Sequence, residues 1–599
     1  METLIIAIAA GLGFVIAYHT YGKWLGKKVF ELSSSAICPS EALEDGHDFV
    51  PTKKSVIFGH HFTSIAGTGP IVGPAIAVMW GWLPALLWVV LGSIFVGAVH
   101  DFGSLVVSLR NKGQSVGDIA GRYISPRTRF LFLLVLFLGL TVVLAIFGLV
   151  IAAVFKMYPA AIFPCLVQIP IAIGIGVLLY RKGAGILIPS IIALTLMYLS
   201  VIYGDVGILK SINVYLAGLP LIVWVVILLF YSFIASVLPV WTLLQPRDYI
   251  NALQLFSVLI LIVVGLVAAA FFGGAPIEGT RPELTIAAPM IDIDPADAPL
   301  IFPFLFITIA CGACSGFHCL VASGTSSKQM KCENDAMFVG FGSMLTEGFL
   351  ATLVILACVA GLALGIPSDS GTLLGTEAWE ARYASWTTAG GLGAKVGAFV
   401  DGSANFIASI GIPHAFGIAL MGVFVASFAG TTLDTACRLQ RYVVQEIAAT
   451  PTFKLNALTG KYMATTVAVI TAFFLASIPV NGPWTLSSMG TGGLILWPMF
   501  GAINQLLAGL AFLVITAYIW RTKKPLWFIL PPTLFMLCMP LWAMIMQAFF
   551  GTAAEASWLA QERWGLLFMA CATIILECWI IVEAFHCIKK APAQMSGGK

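Results

Sequence analysis

Apolar runs of about 20 residues recur along almost the whole of this 599-residue chain, and few folds tolerate that repetition. They fall near 2–22, 56–80, 83–108, 130–155, 160–179, 184–203, 219–244, 249–273, 300–327, 336–364, 405–431, 461–480, 491–520, 526–547 and 565–588. Each is long enough to cross the hydrocarbon core of a bilayer as a helix. Soluble domains carry about 25% charged residues; this chain carries 10%, with 59% hydrophobic residues and a mean hydropathy of +0.98. The expectation is an all-α polytopic membrane protein of about fifteen spans.

Loop charge gives an orientation. With the N-terminus outside, 25 of the 31 lysines and arginines fall in cytoplasmic segments, among them Arg247, Lys328, Arg438 and Arg441. Six remain outside: Lys156, Lys210, Arg281, Arg382, Lys395 and Arg563. The outer loops 274–299 and 365–404 are acidic or nearly balanced. The first run lacks a basic leader and an A-x-A-like cleavage site, and Lys23, Lys27 and Lys28 follow it, which predicts an uncleaved helix. Between spans no segment is long enough for a core of its own, so an enzyme with a cytosolic catalytic domain is not expected. The net charge of +3 gives no reason to expect nucleic acid. Twelve scattered cysteines read as small buried thiols.

Three of the runs contain residues that do not suit an unbroken helix. The second includes GHHFTSIAGTGPIVGP, residues 59–74, with Gly67, Gly69 and Pro70 about 17–21 Å into the span at 1.5 Å per residue. CGACSGFHCLVASGTSSKQ, residues 311–329, puts Ser323, Ser326 and Ser327 on one face. SVLPVWTLLQPRDY, residues 236–249, has Pro239 and Pro246 on either side of Gln245. A single Gly-x-Gly-Pro can be a packed kink, but irregular backbone at membrane depth also lines cavities, and transporters use it to bind substrate and ion. Passive pores are built from such helices too; gradient-driven accumulation separates the two.

Five carboxylates lie in or near the spans: Asp101, Glu347, Asp434, Glu577 and Glu583. Glu577 and Glu583 read as snorkelling acids near Lys589 and Lys590, and Asp434 as a boundary residue within reach of Arg438 at i+4. Glu347 is open between a proton site and a paired structural acid. A tight Gly81–Trp82 turn makes the second and third spans antiparallel neighbours, so His60 or His61, His100 and Asp101 share a depth. That constellation either braces two helices or exchanges protons. Cys311, Cys314, Cys319 and His318 also raise a metal or haem reading, but no full ligand spacing follows.

Six segments, FGHHFTSIAGTGPIVGP, VHDFGSLVVSLRNKGQSVGDIAGRY, LPVWTLLQPRDY, CSGFHCLVASGTSSKQ, GTTLDTACRLQRY and WPMFGAINQLLAGL, resemble in sequence and order the bacterial carbon starvation transporter family. The resemblance runs from about residue 50 to about 510. It implies uptake of peptides or pyruvate at the inner membrane during nutrient limitation. It also implies membership of the amino acid–polyamine–organocation superfamily, with a leucine-transporter-like core of two inverted five-helix repeats. On that basis residues 1–55 form an extra helix and a cytoplasmic loop. The core is 56–435, with repeats near 56–203 and 219–435, and 436–599 are added helices.

Substrate is then expected at His61, Ser64, Gly67, Thr68, Gly69, Trp241, Gln245, Phe317 and His318. Proton coupling would use His60, His61, His100 and Asp101. A sodium alternative, carried by the resemblance, would use carbonyls of Thr63 to Ala66 with Thr325, Ser326 and Ser327. No cofactor or resident metal is expected. The partners are a small molecule and the lipid bilayer, and the oligomeric state is open.

Overall fold

The computed structural model describes residues 1–181, 185–369, 371–450, 455–479, 482–492, 496–553 and 555–595. Lys182, Lys454 and Lys599 of the charge count lie outside them. The fold is helical, with a single two-stranded hairpin of Ile366–Ser368 and Gly371–Leu373 among the described residues. Among those residues ten helices are long and apolar enough to cross a membrane, and twelve if two bent pairs each count as one span.

In chain order the helices are α1 (Glu2–Val29), α2 (Lys54–Ala66), α3 (Gly69–Trp80), α4 (Trp82–Arg110), α5 (Pro126–Met157) and α6 (Pro159–Tyr180). Then come α7 (Leu187–Tyr203), α8 (Ile208–Ala217), α9 (Leu221–Val237) and α10 (Leu244–Phe272). Two short helices follow, α11 (Ile301–Thr308) and α12 (Gly316–Gly324). Next are α13 (Glu333–Leu364), α14 (Leu392–Ser409), α15 (His414–Ala448) and α16 (Lys461–Ala476). The last three are α17 (Trp497–Arg521), α18 (Leu530–Phe550) and α19 (Trp564–Cys587).

Each of the fifteen expected segments contains helix among its described residues, but fifteen spans are not found. The run at 56–80 is the pair α2 and α3, bent by 44°, and 184–203 is α7, which bends by 84° into α8. Gly67 carries the first bend with φ +46°, where an L side chain is strained and an added Cβ would lie 2.8 Å from Thr432 Oγ1. Pro70 then sits in the first turn of α3, where its missing N–H costs nothing. The run at 300–327 is not one helix: α11 and α12 are separated by non-helical backbone at 309–315.

Segment 365–404 is not all loop either. Its second half forms α14, buried along Val396–Phe406 against α10, α13 and α15. Glycine, alanine and serine alternate with its larger apolar residues, because backbones approach closely here. An added Cβ on Gly402 would intrude on the Ala357 carbonyl, and one on Gly265 of α10 would intrude on the Phe406 carbonyl. Hydropathy does not register such a helix. The following helix begins at His414 rather than 405 and runs unbroken to Ala448.

These close approaches generate a stability prediction. Gly402→Val should overpack the α13–α14 contact, at about 1–3 kcal/mol, and lower the melting temperature of purified protein by several degrees. Gly13→Val, where no atom lies within 4 Å of the new Cβ, should leave it unchanged. Equal melting curves for both variants would contradict the packing described.

Candidate functional site

The non-helical backbone at 309–315 is held by side chains from two neighbours. On α4, Trp88 Nε1 donates to the Ile309 carbonyl at 3.1 Å and Ser93 Oγ to the Gly312 carbonyl at 3.0 Å. On α17, Gln505 Nε2 donates to the Cys314 carbonyl at 2.9 Å, and Asn504 Oδ1 accepts from the Phe317 N–H at 2.9 Å. Three carbonyls and one N–H at the break are thereby met inside the protein. It also fixes the start of α12, which carries His318.

At that level the ionisable groups converge. Asp101 on α4 is fully buried, with His100 Nδ1 2.8 Å from Oδ1 and His318 Nδ1 2.8 Å from Oδ2. An ionised Asp101 accepts from both Nδ1 atoms, and a neutral ring then presents a bare Nε2. His318 Nε2 lies 3.4 Å from Glu347 Oε2 on α13. Neither oxygen of Glu347 has a hydrogen-bond donor. A bare carboxylate in such a place is costly, so Glu347 needs a proton or a cation to offset its burial. The result is a carboxyl–imidazole–carboxyl series, Asp101–His318–Glu347, from three helices, hydrogen-bonded at Asp101 and in unbonded proximity at Glu347.

A second buried charge cluster lies between α10 and α15. Arg247 pairs with Asp434, donates to Tyr231 at 2.5 Å and donates to Thr431 at 2.7 Å. Tyr231 and Ser232 of α9 both donate to Asp434. The two assignments made from sequence are therefore corrected. Arg247 is 4% exposed within α10, not a loop residue. Asp434 is not a boundary residue paired with Arg438, because α15 extends past it and Arg438 turns to Asp48.

Above the break lies a cavity of about 450 Å³. Its floor is Gly69, Ala310 and Cys311, and one wall is the face of α3 bearing Gly69, Val72 and Ile76. It opens at the end of the molecule where Trp80 packs against Trp386 in a tilted contact. The opposite end is shut by the segment between α1 and α2. Thr52 N–H donates to the Gln329 carbonyl, and the His47 carbonyl accepts from Val240 N–H. Asp48 receives Arg438 at 2.6 Å and Arg441 at 3.2 Å. The structure is open at one end and latched at the other.

Comparison with known proteins fits this architecture. A family model described as "Carbon starvation protein CstA" matches residues 2–543. The chain belongs to the carbon starvation family. It is 33% identical to "Peptide transporter CstA" of Campylobacter jejuni, covering 89% of this chain and 80% of the relative. It is 31% identical to "Peptide transporter CstA" of Escherichia coli, at 92% and 82% coverage. It is also 30% identical to "Pyruvate/proton symporter BtsT" of Escherichia coli, again at 92% and 82%. These relatives are named as transporters, not enzymes. This carbon starvation family member is accordingly a multi-pass membrane transporter.

Within this family member the residues expected from sequence separate into three places. Gly69 lines the cavity, and the buried Thr68 hydroxyl beside it has no hydrogen-bond partner. Gly67 forms the bend, and Ser64 is tied to α15 through Thr435 at 3.1 Å and Thr432 at 3.1 Å. His100, Asp101 and His318 form one cluster. His61 does not join it through a hydrogen bond but faces Ser326 Oγ at 2.8 Å, and His60 meets Asp248 at 2.5 Å. Phe317 is buried beside Phe500, which also borders the cavity.

Trp241 and Gln245 are not at the cavity. They belong to the latched end, where Trp241 donates to the Gly46 carbonyl and Gln245 to Thr52 and Gln329. The Pro239 break and Ser323 to Ser327 do not line the cavity either. Thr325 bonds back to the Val321 carbonyl, and Ser327 to the Ser323 carbonyl and Ser108. Glu577 is not a snorkelling acid; it is fully buried without a donor, while Glu583 pairs with Arg127 at 3.7 Å. Among the described residues no group of three or more His, Cys, Asp or Glu is arranged to hold a metal.

The sequence reading missed Arg247, Asp248, Asn504 and Gln505. The motif QPRDY held the first two, but Pro246 reads as the end of a span, whereas it lies in the first turn of α10.

The latch has a definite pH dependence. Burial would raise the Asp48 carboxyl, but Arg438 and Arg441 outweigh it and hold the group well below the usual carboxylate range. A depressed acid stabilises above its unfolded value near 4 and loses that contribution only as pH falls through the folded value. The latch should thus be constant between pH 5 and 8. Asp48→Asn should speed alkylation of a cysteine placed at Gln245 about tenfold, equivalent to roughly 1.4 kcal/mol of easier opening. The increase should be equal at pH 6 and 8; an unchanged rate would remove Asp48 from the closure.

Proposed function

We propose that this protein is a secondary active transporter that carries a small carboxylate nutrient, pyruvate or a di- or tripeptide, across the bacterial inner membrane during nutrient limitation, coupled to protons. The observation that carries this reading is the Asp101–His318–Glu347 chain below the cavity floor. A proton arriving at Glu347 can pass to His318 Nε2 while the Nδ1 proton moves to Asp101, so an imidazole relays charge between two acids without moving far. The relative named as a pyruvate/proton symporter supports the choice of ion. The relatives named as peptide transporters support the other substrate.

The substrate carboxylate docks at Gly67, Thr68 and Gly69, where the first turn of α3 offers N–H groups and the positive end of its dipole. The broken pair α2–α3 acts as core helix one of a leucine-transporter-like fold. The core takes in residues 56–435, with repeats near 56–203 and 219–435, and its last helix continues to Ala448. Residues 1–55 and 436–599 are additions, and the chain runs N-out to C-in. The inner membrane is the location this topology suits.

A sodium-coupled symporter of the same fold is the second reading, favoured by Glu347, whose oxygens lack donors and would accept a cation. Against it, the hydroxyls of Thr325, Ser326 and Ser327 already have partners.

Two experiments test the proposal. Asp101→Asn should remove accumulation driven by a pH gradient yet preserve exchange of substrate down its own gradient. Uptake by the unaltered protein should collapse with a protonophore and ignore sodium removal; uptake that tracks the sodium gradient instead, and stops in Ser327→Ala, would overturn the proton reading. Gly69→Val should abolish uptake with protein still in the membrane, since its Cβ would intrude on Cys311 Sγ. Normal transport in that variant would remove the docking site from α3.

A further inference from the structure

The mouth of the cavity carries charge that the proton chain and the α3 docking site do not use. Lys395, in the first turn of α14, and Arg563, just before α19, both line it. Elsewhere the protein pairs its buried guanidiniums: Arg247 with Asp434, Arg382 with Asp401, and both Arg438 and Arg441 with Asp48. Arg563 is different. Its Nη1 is buried without a hydrogen-bond acceptor, and no carboxylate lies within 4.0 Å of it among the described residues. Lys395 likewise makes no ion pair there. Gln547 Oε1, on the same cavity wall, is buried without a donor. The one acid on the cavity lining among the described residues, Glu555, is exposed and lies close enough to Lys395 to act on it without forming an ion pair.

An unpartnered buried donor costs free energy that an acceptor arriving from solution would recover. Along the cavity lining two cations face one exposed acid, a net positive charge that low-dielectric walls focus, with the acids of the 292–297 loop outside the lining beside Trp80 and Trp386. We propose that this vestibule is an anion-capture site: Lys395 and Arg563 receive a small organic carboxylate at the mouth and hold it before it descends to Gly69. Only the destination of the anion rests on the transport reading; its capture does not.

The test reads charge selectivity rather than transport. Thr308 lines the same cavity at the level of Ala310 and Cys311. In full-length protein carrying Thr308→Cys, reaction with anionic sulfonatoethyl and cationic trimethylammonioethyl methanethiosulfonate is followed at low salt, after subtracting the rate of the parent thiols. The anionic reagent should react about tenfold faster, and 0.5 M salt should shrink the preference. Lys395→Gln combined with Arg563→Gln should abolish it, while Lys395→Arg combined with Arg563→Lys should retain it and show that the background folds. Millimolar pyruvate should slow the anionic reagent in the parent and not in the charge-neutralised form. Equal rates for the two reagents, or a preference that survives loss of both cations, would overturn the vestibule. Loss of proton-driven uptake with charge selectivity intact would sink the transport reading alone.

Discussion

Every peptide group of a membrane-embedded chain must find its hydrogen-bond partner inside the protein, and this molecule breaks its helices in the places where that demand is hardest to meet. The carbonyls of Ile309, Gly312 and Cys314 are met by Trp88, Ser93 and Gln505, while Asn504 receives the N–H of Phe317. Without those four side chains these groups would be buried unpaired, and the start of α12, which carries His318, would lose a contact that fixes it. The site therefore depends on donors from α4 and α17 that touch neither cavity nor proton chain. The same rule governs the α2–α3 bend, where Thr432 donates to the Ser64 carbonyl.

Most buried charges of the bundle interior obey a related rule, being paired unless they lie beside the cavity or the proton chain. Arg247 with Asp434, and Arg438 and Arg441 with Asp48, are closed systems that fix α10 against α15 and shut one end of the molecule. Glu347 and Arg563 are open systems, one below the cavity floor and one at its mouth. That asymmetry separates scaffold from site more sharply than burial does, because all of these groups except Arg563 belong to residues with little or no exposure or to their direct partners. Glu577 also lacks a donor, but it lies on peripheral α19, and no part of the cavity reaches it.

The membrane class, the positions of most of the long helices and the bend at Gly67 were legible in the sequence, but not the count of fifteen spans. Hydropathy summed over a span is a local quantity, and Gly-x-Gly-Pro is a local breaker, so neither needs knowledge of what packs where. The resemblance in six ordered motifs likewise identified the family. Residues near each other in the chain, such as His100 and Asp101, were also correctly joined.

Tertiary structure alone decided the partners. His318 and Asp101 are 217 positions apart, Arg247 and Asp434 are 187 apart, and no periodicity links them. It also decided that α14 is a buried helix, since close backbone approach selects glycine and alanine where hydropathy looks for leucine. It assigned Trp241 and Gln245 to the latch and Gly69 to the cavity, although all three sit beside helix breakers in the sequence. A breaker says that the backbone turns; which side of the turn faces a neighbour, a void or a second charge is fixed only when the other helices arrive.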